Sequence, residues 1–332
     1  MRKVVLFFSL CTLLVLAACS NGTSKDSIKV IKFADAGWDS IRVHNSIAQL
    51  IVEKGYGYNT EVTSGTSAAT MQALEQGDIN VYMEVWTDNI KEVYEKAIDS
   101  GKVIKVSTNF DDNSQGLYVP TYVIEGDAKR GIKPVAPDLK TVEDLVKYPQ
   151  IFQDPEDKDK GRIIGAPSSW VVSEQLETKL ETYGLDKQFN YLAPGSDSAI
   201  VADLAGAYKK GKPWVGYYWS PTWVTASYDL TLLKDKPYDK KTWDENKGTE
   251  FPPNDVVIAV NKDLVTQAKD VVDFLSKYHT SSELTEDALK YMNEKGVEPE
   301  EASRWWMKEH EDVWTTWVSD EVAKKVKAAL KQ

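Results

Sequence analysis

The chain of 332 residues has two cysteines and three histidines, and both shortages exclude chemistry. Cys11 lies inside an apolar leader and Cys19 at its end, so a processed chain keeps one thiol and no internal disulfide. Its stability must come from packing. His44, His279 and His310 stand beside no plausible nucleophile, and no GxSxG, HExxH or metal-spaced Cys/His group occurs. Nothing pairs the many Asp and Glu residues into an acid–base couple, so an enzyme is not expected and no cofactor is called for. Positive charge is also short: 40 Lys and Arg against 51 Asp and Glu give a formal net charge of −11. Such a surface lacks the basic patches that displace phosphate counterions, which argues against a nucleic-acid partner. Beyond the leader no hydrophobic run reaches membrane-spanning length, and no repeat is visible.

The leader has the form of an export signal. Met1-Arg2-Lys3 is followed by VVLFFSLCTLLVLAA, an apolar run too short to span a bilayer comfortably. Small residues then precede a cysteine in Leu16-Ala17-Ala18-Cys19, the pattern of a bacterial lipoprotein cleavage site. The expectation is a signal peptide over 1–18, a lipid on Cys19, and a polar tether over 19–27. Loss of Arg2 and Lys3 takes the formal charge from −11 to −13. The link to the membrane would then be the lipid alone.

Strand and helix patterns alternate after the tether. IKVIKFA (28–34), TEVTSG and DINVYMEVW (78–86) read as strands, separated by helical spacing such as Val43, Ile47, Leu50 and Ile51. GLYVPTYVIEG (116–126), interrupted by Pro120, reads as a crossover, and 127–160 is rich in proline and charge. The acidic loop DPEDKDKG (154–161) is interrupted by Lys158 and Lys160, against a calcium loop. RIIGAP (162–167) restarts the rhythm, WVGYYW follows as a strand, and NDVVIAVNKDL (254–264) reads as a return crossover before a helical tail. In that tail Trp306, His310, Val313 and Trp317 form a stripe expected of one terminal helix. The expected fold is α/β with two lobes: 28–120 plus 254–332 in one, 121–253 in the other, and the two crossovers as hinge.

Four tryptophans share one topological position. Trp38 follows the first strand, Trp86 ends DINVYMEV, Trp170 follows RIIGAP, and Trp219 ends WVGYY. Each sits at the carboxyl end of a strand, outside which open α/β sheets keep their ligand crevice. Any one Trp is ordinary core material; four in this position point to a pocket with aromatic walls. Such walls suit a quaternary ammonium, which has no N–H to donate and is drawn to the negative faces of rings. In PSSWVVSE, Ser168 and Ser169 are expected caps and a helix is expected to open near Trp170. The free amides of Val171 and Val172 would then face an anion, such as a ligand carboxylate.

AGWDS, EQGDINVYMEVWTDN, GAPSSWVVSE, KPWVGYYWSPTW and EFPPNDVVIAVNK, in this order, resemble the glycine betaine/proline betaine and choline-binding proteins of bacterial ABC importers. The resemblance implies a two-lobed fold of the type II periplasmic binding proteins. It implies an ammonium cage of Trp86, Trp170 and Trp219, with Trp38 at a cage position found in some members, and a ligand carboxylate held by the amides after Trp170. It also implies osmoprotectant uptake, with a membrane permease and a cytoplasmic ATPase as partners. One departure is that TDNI follows Trp86 where some betaine binders carry a His, so glycine betaine, carnitine and choline all stay open. Asp39, beside Trp38, either meets a cation or hydroxyl or caps the following helix. Tyr118 at the crossover is a further candidate for the cleft wall.

Overall fold

In a computed structural model, residues 28–331 are described. They form two five-stranded sheets. The first joins β1 (Val30–Asp35), β2 (Asn59–Ser64), β3 (Val81–Trp86), β4 (Val103–Phe110) and β10 (Val256–Asn261) in the order β2-β1-β3-β10-β4. The second joins β5 (Ser114–Pro120), β6 (Gly161–Ile164), β7 (Phe189–Leu192), β8 (Gly216–Ser220) and β9 (Leu230–Leu232) in the order β7-β6-β8-β5-β9.

The two sheets follow one plan. β1 runs parallel to β2 and β3, and β6 runs parallel to β7 and β8. Among the central strands, the antiparallel one in each sheet has just crossed from the other lobe: β10 between β3 and β4, β5 between β8 and β9. Parallel pairs need helical crossovers, which cover the sheets and make their central strands apolar throughout. β3, VYMEVW, is buried at all six positions.

Helices α1 (Asp39–Ile51), α2 (Ser67–Gln76), α3 (Lys91–Asp99), α4 (Val172–Thr182) and α5 (Asp197–Lys210) follow strands β1, β2, β3, β6 and β7. Local chemistry sets their ends. Thr66 accepts from the Ala69 amide to cap α2, and Ser196 accepts from Ala199 to cap α5. Gly77 and Gly211 end them with φ of 86° and 64°, the left-handed conformation that costs glycine least.

Three boundaries differ from the sequence expectation. β5 begins at Ser114 and belongs wholly to the second sheet, so the outgoing crossover is 111–113 and lobe 1 stops short of residue 120. Pro120 does not break that strand; it ends it, opposite Leu230 of the edge strand β9. The return crossover precedes Val256, and the two crossovers are tied where Asn113 Nδ2 donates to the Asn254 carbonyl at 2.7 Å. The terminal stripe is not one helix: Pro299–Glu309 stops at His310, and Glu311–Trp314 and a 3₁₀ turn over Thr315–Trp317 follow. Trp306 and Trp317 still meet, 6.2 Å apart and near parallel, inside the core of lobe 1. No helix among the described residues is long and apolar enough to cross a membrane. Cys11, Cys19, the leader and the tether lie outside the described residues.

Candidate ligand-binding site

Trp38, Trp86, Trp170 and Trp219 line one cavity between the lobes. Trp38 sits between β1 and α1, Trp86 ends β3, Trp170 lies between β6 and α4, and Trp219 is the fourth residue of β8. The first pair belongs to lobe 1 and the second to lobe 2. Trp170 touches Trp38 across the cleft edge to face, with centroids 5.9 Å apart and planes at 85°, and meets Trp219 at 5.3 Å and 76°. Ser67, Tyr82, Asn89, Ile90, Val171, Val172 and Tyr217 complete the lining, and none of them is charged. The space between atoms is about 480 Å³, part of it open to solvent.

The alternation of β8 explains its share. Tyr217 and Trp219 point to the cavity, while Tyr218 is buried behind with its hydroxyl toward Asp197. Trp214 instead donates its indole N–H to Asp203 at 2.9 Å and takes no part in the lining. Trp223 packs on Tyr228 and against both cores.

Beneath the lobe 1 rings lies a group that sequence reasoning passed over. Tyr82, Glu84 and Trp86 share one face of β3, and Glu84 is fully buried. Its Oε1 accepts from Trp38 Nε1 at 2.8 Å, Trp86 Nε1 at 3.0 Å and Ser40 Oγ at 2.8 Å. Burial pushes its carboxyl up to about 7, against the lowering effect of those three donors. An acid inside an otherwise apolar strand, two residues from a Tyr and two from a Trp, is the signal that could have found it.

The two amides expected to face an anion stand at the start of α4. That helix begins at Val172, two residues later than expected, and neither Ser168 nor Ser169 caps it. Ser173 Oγ bonds back to the Ala166 carbonyl at 3.1 Å, and a turn closes from the Ser173 amide to the Trp170 carbonyl at 3.0 Å. Val171 and Val172 stand in the middle of that turn and line the cavity; among the described residues neither amide finds a hydrogen-bond acceptor. Both are thus donors without an acceptor, in residues that line the cavity.

The two lesser candidates fall elsewhere. Asp39 is the first residue of α1 rather than its cap, which is Trp38, and its carboxylate accepts from Arg42 at 3.3 Å. It is outside the lining, and burial raises its pKa. Tyr118 is buried in β5 with its hydroxyl 2.9 Å from Ser114 Oγ, and it too is outside the lining. Burial and then the Asp39 charge push Asp197, the first residue of α5, up to about 7.

Comparison with known proteins gives the family and the fold. The family model described as the substrate-binding domain of ABC-type glycine betaine transport systems matches residues 29–309. A trimethylamine N-oxide-binding protein of Pelagibacter ubique is 22% identical over 318 residues, 95% of this chain and 99% of that one. A glycine betaine/carnitine transport binding protein of Listeria monocytogenes is 26% identical over 155 residues, 47% of this chain and 48% of its own. Among solved structures, an ABC-transporter choline-binding protein in complex with choline superposes with a TM-score of 0.72 at 22% identity, covering 91% of this chain and 98% of that one. A lactococcal OpuAC closed over glycine betaine gives 0.69 at 22% identity, covering 88% and 100%. These likenesses establish the two-lobed binding-protein fold.

Proposed function

From the premise that the chain belongs to the family of substrate-binding domains of ABC-type glycine betaine transport systems, we propose that it captures a quaternary ammonium osmoprotectant outside the cell membrane. It then hands that solute to a membrane permease driven by a cytoplasmic ATPase, without chemical turnover. The observation that carries this reading is the single cavity walled by four indoles with no charged side chain in its lining.

The chemistry follows from what such a nitrogen lacks. A primary ammonium donates hydrogen bonds and wants carboxylates around it; a methylated one cannot donate and is held by ring faces. Each ring contributes about 0.5–2 kcal/mol, so four supply much of the ~8 kcal/mol that micromolar affinity needs. The unsatisfied amides of Val171 and Val172 supply a seat for a carboxylate, which favours a betaine such as glycine betaine. The names of relatives that bind glycine betaine, carnitine and trimethylamine N-oxide fall within the same chemistry. Choline is the second reading, favoured by the buried Glu84 behind the rings, which suits a ligand with net positive charge. Closure of the lobes about the two crossovers would complete the cage. The cysteine at the end of the apolar leader supports a lipid anchor on Cys19.

Calorimetry with glycine betaine, proline betaine, carnitine, choline and trimethylamine N-oxide, beside unmethylated glycine and ethanolamine, tests the reading. Binding of at least one methylated compound, lost in Trp86→Ala, is expected. Equal binding of methylated and unmethylated compounds, or full affinity in that variant, would refute it.

A further inference from the structure

Glu84 is the one acid set among the rings of the cage, and its bonding is lopsided. Three donors, two of them cage indoles, converge on Oε1, while Oε2 is buried and finds no partner among the described residues. Among the described residues no basic side chain pairs with it; the titratable groups that its charge reaches are Tyr82 on its own strand and Tyr278, which in turn meets His44 of α1. Burial holds His44 neutral, down at about 3. An ionised Glu84 is therefore an unpaired charge in an apolar setting, and a neutral one leaves a hydroxyl without an acceptor. In either state the protein's own described groups leave Oε2 without a partner. A cation held on the faces of Trp38 and Trp86 would bring positive charge close to the two indoles whose N–H groups donate to Glu84. Hydrogen bonding to a carboxylate also polarises those rings and makes their faces more negative.

We propose that Glu84 is a positioning residue and the charge partner of the cage, fixing both lobe 1 indoles and giving up its proton to solvent as a quaternary ammonium is captured. The balance is simple: the neutral acid and the cation become an ion pair separated by the rings, and the O–H proton passes to buffer. This inference rests on the reading of the site as a quaternary-ammonium cage. It predicts that affinity rises with pH, because the charged ligand favours the charged form of Glu84. The midpoint lies near 7 in the empty cage, where burial has pushed the carboxyl. Each unit by which the ligand lowers that value makes the high-pH dissociation constant about tenfold tighter than the low-pH one. Asp197, which shares this titration range through burial and the Asp39 charge, is removed from the profile by measuring in an Asp197→Asn background.

The experiment is calorimetry with choline chloride and with glycine betaine from pH 5.5 to 8.5, each in two buffers of different ionisation enthalpy. Expected are a several-fold to tenfold gain in affinity across the range and net proton release on binding near pH 7. In Glu84→Gln both vanish, and its affinity equals that of the parent at pH 5.5 but falls short at pH 8.5 by the parent's own pH ratio. If Glu84→Gln folds poorly, Ser40→Ala leaves the rings in place, removes one donor to the charged form, and moves the midpoint upward. Tight binding with a flat profile and no proton release, or an unchanged profile in Glu84→Gln or Ser40→Ala, would overturn this inference and leave the cage intact. Absence of binding by both compounds at every pH would instead overturn the cage itself.

Discussion

Trp170 offers the sharpest separation of binding from folding. It is half-buried, its indole N–H makes no hydrogen bond among the described residues, and it stands between the lobes. Its contact with Trp219 lies within lobe 2 and is present whether the cleft is open or shut, so it cancels from binding. Its edge-to-face contact with Trp38 spans the lobes and would be lost if they part. That contact is worth about 0.5–1.5 kcal/mol beyond buried area. A ring face on a desolvated methylated nitrogen adds about 2 kcal/mol. Together these give about 3 kcal/mol, so Trp170→Ala should weaken glycine betaine binding on the order of 100-fold. Trp170→Phe keeps a face and should lose about tenfold. Titration calorimetry at pH 7.5 reads both, and thermal melting should show little change for a half-buried ring. A Trp170→Ala variant within threefold of wild type for every methylated compound would refute the division of the cage between lobes.

Other consequences can be checked in the same preparations. Val171 has φ of −57° at the second position of its turn, a geometry proline accepts, so Val171→Pro removes one amide donor with little strain. Glycine betaine should bind more weakly by about 1.5–3 kcal/mol and choline by less than twofold in calorimetry. Glu84→Gln should alter stability in the sense opposite to affinity. A folded-state value near 7 against 4.5 means that stability present below 4.5 is lost as pH rises through 7. The urea-unfolding free energy of the variant relative to wild type should therefore rise by roughly 3 kcal/mol between pH 4.5 and 8.5; a constant difference would contradict burial as the cause. Glu286 accepts from Ser220 at 2.9 Å and Thr225 at 2.8 Å, joining the helix Ser282–Lys295 of lobe 1 to the turn after Trp219. Loss of this clasp in Glu286→Ala should cost about 1–2 kcal/mol of closure and speed ligand release about 5- to 30-fold in stopped-flow Trp fluorescence.

The convergence of the four indoles on one cavity is legible in the sequence because their positions follow from topology. A strand-end residue before a helix in an open α/β sheet points at the crevice whatever the core packing does. The 217/219 alternation is equally local. What escaped depends on contacts between distant segments. Glu84 is tolerable inside β3 only because Trp38 and Ser40, over 40 positions away, aim donors at it. The outgoing crossover was misplaced because Pro120 suggests an interruption, whereas the pairing of Ser114–Tyr118 with β8 decides which sheet the strand joins. α4 starts late because Ser173, not the two preceding serines, satisfies the turn through Ala166. The terminal stripe kept its spacing through the break at His310, since the short helical pieces that follow leave Trp306 and Trp317 on one face.

The split of the cage also says what a ligand must do to close the protein. A solute shifts an open–closed equilibrium only by the difference between its affinities for the two forms. In an open cleft a methylated nitrogen would meet the two lobe 1 rings that Glu84 holds; in the closed one it meets Trp170 and Trp219 as well. Two further faces at about 0.5–2 kcal/mol each amount to a bias of roughly 5- to 1000-fold toward closure. A betaine adds to that bias through its other end, because the Val171 and Val172 amides belong to lobe 2 while the first two rings belong to lobe 1. Its two charges therefore bridge the lobes, whereas a simple cation bridges them by ring faces alone. Discrimination among methylated solutes would then be read less from how tightly each enters the open cleft than from how firmly each holds it shut, which is the form a permease can distinguish from an empty receptor.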